Sequence, residues 1–209
     1  ANLLTQYEQG KLFDYHSCRK LEKLKHLGLV SQLQSYICNF GKQIRARDLA
    51  IDIAGACKVY ELQEDLLTLA LESSQSIHLR ESAVYALCSI GNADAIVQLK
   101  PLAIGEIPED EDDQIKGYIL DALWPDQLTA KELFEALTPP KRWNFVGKYR
   151  MFLSQEIVPK LQPDDLLVAL SWLQEQDMWC FIAPFENLGD AILLKAWENK
   201  RRAVSDRKL

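Results

Sequence analysis

The chain has 209 residues, 48% hydrophobic and 26% charged, enough apolar material for one extended domain or one and a half compact ones. Its net charge of −6 sets bulk electrostatics against nucleic acid and anionic membranes, and no apolar run approaches the roughly 18 residues of a membrane span. No basic region followed by an apolar one opens the chain, so no signal peptide is expected; the first residue is Ala1, as in a trimmed chain or a segment of a longer one.

Glycine and proline are sparse, 9 and 8, and fall between periodic segments, which favours helices. Residues 1–40 carry Leu3, Leu4 and Tyr7, then Leu21, Leu24 and Leu27, with Gly28 as a stop. Next comes RARDLAIDIAGAC (45–57), with Ala46, Ala50, Ile53, Ala54 and Cys57 on one helical stripe. An amphipathic helix is expected at 62–72. The earlier pattern then returns as HLRESAVYALCSI (78–90): Arg80-Glu81 matches Arg47-Asp48, and Ala83-Val84 matches Ala50-Ile51, 33 residues on. Ala83, Val84, Ala86, Leu87 and Ile90 form its stripe. Small residues dominate both stripes, so a neighbouring helix can approach closely. Gly91-Asn92 ends this helix and caps the next, over 93–103.

The run EIPEDEDD (106–113) holds six acids in eight residues and reads as a solvated loop; an EF-hand fails because Ile115 stands where glycine is needed. A third, weaker copy is IKGYILDALW (115–124), with Lys116 matching Arg80 at an offset of 36. Pro125 ends that helix. Thr129 with Glu132 predicts a capping box for a helix over 130–137. After Pro139-Pro140 the repeat fades, and helices are expected around 142–156, at 163–176 with Pro163 near its start, and near 188–202 with Leu188, Ile192 and Trp197. The tail KRRAVSDRKL (200–209) is basic.

A helix pair recurring every 33–36 residues cannot bury its own apolar face, and stacking the pairs does so. The expected fold class is all-α: a HEAT-like α-solenoid, a right-handed superhelix of antiparallel helix pairs over residues 1–138, with a helical C-terminal extension over 139–209. An Arg or Lys followed by small and branched apolar residues resembles HEAT-type repeats, although the period is shorter than theirs.

Motifs for chemistry are absent. Gly-Lys occurs at 10–11, 41–42 and 147–148 without the upstream glycine or following Ser/Thr of a P-loop, and GxGxxG, GxSxG and HExxH do not occur. The histidines are His16, His26 and His78, the last placed to cap a helix or face solvent. Five cysteines, Cys18, Cys38, Cys57, Cys88 and Cys180, with no CxxC, suit buried single thiols in a reducing cytoplasm and supply no zinc spacing. The reading is therefore not an enzyme, with no cofactor and no metal.

Of the five tryptophans, Trp124 and Trp172 fall on apolar stripes and are expected in the core, whereas Trp143 and Trp179 are not. Trp143 sits in a basic, aromatic stretch with Lys141, Arg142, Lys148 and Arg150. Those five residues are the candidate partner-binding set. The expected partner is protein. The alternatives are a nucleic-acid-binding HEAT protein of the DNA-repair glycosylase type, since basic residues among aromatics can hold a strand, or a free-standing adaptor. An enzyme with a site assembled on the concave face is a third class, marked by ionisable groups sharing a deep pocket.

Three elements, Lys116-Gly117, Leu123-Trp124-Pro125-Asp126 and Leu137-Thr138-Pro139-Pro140-Lys141, with DLLVALSWL and DAILLKAWEN downstream, carry a resemblance over residues 115–198. They resemble the helical region that follows the nucleotidase in bacterial NACHT-type STAND NTPases, some linked to antiviral defence. The resemblance implies a cytoplasmic sensor or autoinhibitory segment of a larger ATPase, lacking the ATPase module itself. Its partner would be that module or a foreign trigger protein. The matching elements are scaffold-like, so the resemblance implies no catalytic residue.

Overall fold

A computed structural model describes residues 3–11, 20–176 and 183–206; their regular structure is helical, with no strand among the described residues. His16, Cys18, Trp179 and Cys180 lie outside them. The chain divides into two compact units, Ala1–Leu102 and Ala103–Leu209, so the first two repeat copies stand in one unit and the third in the other.

The first unit contains α1 (Leu3–Glu8), α2 (Leu29–Ile37), α3 (Ile44–Ala56), α4 (Gln63–Leu71), α5 (Ile77–Ile90) and α6 (Ala93–Gln98). Two hairpins, α2 with α3 and α4 with α5, are laid side by side, so that α3 meets α5 and α2 meets α4. Every residue of the two predicted stripes is buried, from Ala46 to Cys57 and from Ala83 to Ile90. Small side chains let the backbones close in: a Cβ built on Gly55 would stand 3.4 Å from the Cβ of Ala86.

The repeated arginines have a shared task. Arg47 Nη2 donates to the Ile37 carbonyl at 2.9 Å and Arg80 Nε to the Ala70 carbonyl at 3.0 Å, each reaching back ten residues. Those carbonyls close α2 and α4, where the last turn has no intrahelical donor and the helix dipole is negative. Arg47 Nη1 adds a bond to Gln75 Oε1 at 2.8 Å. Both arginines are buried for this purpose. The predicted Asn92 cap forms, and Ser76 adds a cap that the sequence reading did not single out. Asn92 Oδ1 accepts from the Ala95 amide at 2.8 Å, and Ser76 Oγ from the Leu79 amide at 3.4 Å.

Several boundaries differ from expectation. Gly28, at φ 85, starts α2. The helix expected over 93–103 is two, α6 and then α7 (Lys100–Ile104), because Pro101 has no amide to continue the ladder. Cys57 is buried, but Cys38 and Cys88 are exposed. Cys38 follows the last residue of α2, and Cys88 lies outside the buried stripe of α5.

The second unit contains α8 (Gln114–Leu123), α9 (Ala130–Ala136), α10 (Lys148–Met151), a π-helical turn (Phe152–Glu156), α11 (Ile157–Lys160), α12 (Leu166–Gln174) and α13 (Ala183–Asp206). Here α10 and the π turn pack on α8, α9 on α12, and α13 on α11 and α12. The capping box of α9 is present: Glu132 gives its amide to Thr129 Oγ1 at 3.2 Å and takes the Thr129 amide on Oε2 at 2.9 Å. The helix expected over 142–156 begins only at Lys148, since Gly147 holds φ 88, which no helix continues through. Trp124 is buried, with its Nε1 donating to the Ile157 carbonyl at 3.4 Å. Trp172 is half-buried against Phe134, ring centres 5.1 Å apart. Trp197 is 60% exposed, unlike Leu188 and Ile192 beside it on α13.

Several side-chain hydrogen bonds span a similar sequence distance. Gln34 meets Asp65 and Lys58 meets Ser89, each 31 residues on; Trp124 meets Ile157 at 33 and Lys195 meets Val158 at 37. The spacing persists beyond Pro140, where residue identities no longer repeat.

Candidate functional site

The acidic run and the basic stretch lie against each other. Arg142 Nη1 sits 2.6 Å from Glu111 Oε2, and its Nη2 sits 3.0 Å from Asp112 Oδ1. Lys141 Nζ is 2.9 Å from Asp113 Oδ1. At the far end of the stretch, Gln114 binds twice: its Nε2 donates to the Val146 carbonyl at 2.7 Å and its Oε1 accepts from the Lys148 amide at 2.9 Å. Residues 141–147 are thus fastened at both ends. Gly147 is needed there twice over, by its φ and because a Cβ would overlap the Gln114 side chain.

Of the five candidate residues, three are engaged within the chain. Lys141 and Arg142 serve the acidic run, and Lys148 Nζ pairs with Asp121 Oδ2 at 2.6 Å. Arg150 is exposed on α10, and Trp143 keeps 82% of its surface exposed. The expectation of a wholly solvated loop at 106–113 does not hold, because Asp110 and Asp113 are buried. Asp110 takes the amides of Gln114 at 2.8 Å and Ile115 at 2.9 Å, capping α8 from three residues before its N-cap. Burial raises the Asp110 carboxyl above its ordinary range, against the lowering from those two amides and from Lys141.

Thr138, itself exposed, is gripped on three atoms. Its carbonyl accepts the Tyr149 hydroxyl at 2.8 Å, its amide donates back to that oxygen at 3.1 Å, and its Oγ1 accepts from Lys116 Nζ at 2.7 Å. Tyr149 is fully buried and burial raises its pKa. Lys116, unlike Arg47 and Arg80, does not cap the preceding helix. It reaches forward to Thr138 and lies 5.6 Å from the centre of the Tyr149 ring. Burial pushes its ammonium down to about 8, against the pull of Asp113, with Lys141 lowering it further.

That shift has a sign that can be tested. With an unfolded value near 10.5 and a folded value near 8, the unfolded chain holds more protons between those two pH values. Stability contributed by this position therefore rises with pH across that window. Replacing Lys116 by Met removes the effect. The wild-type chain should gain about 2 kcal/mol relative to Lys116→Met between pH 7 and pH 10, read by urea unfolding. A constant difference would show that the lysine is solvated.

Other groupings are weaker chemistry. Asp48 accepts from Ser82 Oγ at 2.6 Å and meets His78 Nε2 at 3.1 Å. The hydroxyl and the imidazole both turn to one carboxylate, so the imidazole does not stand between them as base. A groove of about 540 Å³ runs beside Val158, Leu166, Leu194 and Lys195. Among the described residues no three His, Cys, Asp or Glu side chains are arranged to hold a metal ion. No described helix is long and apolar enough to cross a membrane.

Sequence reasoning placed the basic stretch but not its counterpart. The available signal was spacing: the acidic and basic runs lie about 30 residues apart, one repeat period. No family model, no curated protein and no solved structure matches the chain.

Proposed function

We propose that this chain is a non-catalytic helical-repeat scaffold that recognises protein, with Trp143 as its anchor. The carrying observation is that Trp143, 82% exposed, rides on a segment whose two ends are held by ion pairs and by Gln114. A rigidly presented tryptophan supplies contact area with little ordering entropy, which is the usual make-up of a binding hot spot. The neighbouring cations Lys141, Arg142 and Lys148 already hold carboxylates, which favours a protein partner over nucleic acid.

The HEAT-like solenoid and the STAND context belong to the same proposal. The side-by-side hairpins of the first unit and the recurring separations of 31–37 residues support stacked repeats. The elements that carry the resemblance are architectural: Lys116 on Thr138, Gly117 against Tyr149, Trp124 on Ile157, Lys141 on the acidic run. Residues with such duties suit a sensor or autoinhibitory segment whose partner is an ATPase module or a foreign trigger protein.

The test uses a photo-crosslinking residue at position 143 and, as control, at the comparably exposed Leu167 of α12. A protein captured at 143 alone is then titrated against the wild-type chain and Trp143→Ala. The expected loss is roughly 30-fold in affinity with an unchanged melting temperature. Identical captures at both positions would sink the reading.

A further inference from the structure

Lys141 belongs to the basic stretch, yet its ammonium sits as a bound ion would. Its Nζ lies 2.7 Å from the Ile107 carbonyl, 2.7 Å from the Asp110 carbonyl and 2.9 Å from Asp113 Oδ1. A lysine ammonium has three N–H donors, so this set saturates it. All three oxygens come from residues 107–113, a stretch turned back on itself. The Asp110 amide donates to Ile107 at 3.0 Å, the Asp113 amide to Asp110 at 3.1 Å, and Asp113 holds φ 53. The second oxygen of Asp113, Oδ2, is buried with no hydrogen-bond partner, on a side chain only 6% exposed. A carboxylate so placed is strongly unfavourable without a cation beside it.

We propose that residues 107–113 form an oxygen cage for one small primary ammonium, and that the Lys141 side chain is its tethered occupant. The contacts of 2.7–2.9 Å suit N–H donors; calcium would need six to eight oxygens at about 2.3–2.6 Å. One carboxylate and two carbonyls match a single positive charge. Methylammonium is the free counterpart of this group, with the same three donors and its methyl in the place of Cε.

Cutting the tether tests the cage in the full chain. Lys141→Ala should lower the melting temperature by roughly 10 °C. Methylammonium chloride should then restore at least half of that loss, saturably. Tetramethylammonium chloride at equal ionic strength carries the same charge without N–H donors and should restore none. The wild type should respond to neither. No recovery, or equal recovery from both salts, overturns the proposal. Should Lys141→Ala fail to fold, the wild type decides. The Lys141 ammonium should give a slowly exchanging ¹⁵N resonance, resolved from that of Lys131, whose side chain is 75% exposed. Exchange as fast as that of Lys131 overturns the cage.

Discussion

Gly117→Ala should destabilise the second unit by 4 kcal/mol or more, on the order of a large core lesion. A Cβ at Gly117 would stand 2.2 Å from the Tyr149 nitrogen, 2.6 Å from the Lys148 carbonyl carbon and 2.6 Å from the Tyr149 Cα. All three are backbone atoms, so no side-chain rotation relieves the overlap. Helix α10 would have to withdraw from α8. That movement would pull Tyr149 from its pocket and its hydroxyl from Thr138. A control lies in the first unit. Gly55 is also buried in a helix, but its added Cβ would meet Ala86 at 3.4 Å, ordinary contact. There the better helix propensity of alanine, about 1 kcal/mol, should appear as neutral or stabilising. Equal effects at the two sites in urea unfolding would show that α8 and α10 do not touch as described.

Ala83→Arg should be as severe for the first unit. Ala83 has no exposed surface, and it lies on the stripe of α5, which packs on both α3 and α4. An arginine there puts a guanidinium and its long stem where a methyl group fits. The seam must open, or the charge must remain unpaired in apolar surroundings; either route exceeds about 4 kcal/mol. Cys88→Arg, on the exposed side of the same helix, should cost far less than Ala83→Arg. A thermal melt of Ala83→Arg that overlays the wild type would remove α5 from the core.

Both arguments rest on features that the sequence displayed unequally. The stripe of Ala83, Val84, Ala86, Leu87 and Ile90 was legible because burial on a helix follows its period. The capping box of Thr129 was legible because it is local. Gly117 and Thr138 were visible only as members of a resemblance, and Lys141 otherwise only as one cation of the basic stretch. Their roles depend on residues 11 to 34 positions away, which no local period records. The basic stretch reads as a partner-binding set because its compensating acids lie at that same distance. The late start of the helix at Lys148 depends on the φ of Gly147, which residue identity alone does not announce.

The recurrence of contacts at about 30 residues bears on how the chain folds. Within each unit, side-chain bonds tie together segments about 30 residues apart, so little loop-closure entropy is spent before such a contact forms. Coupling between nearest neighbours allows structure to start at more than one point and spread. Amide protons in α3 and α5, each flanked by further helices, should therefore exchange more slowly than those in α1, which packs on α3 from the chain's beginning.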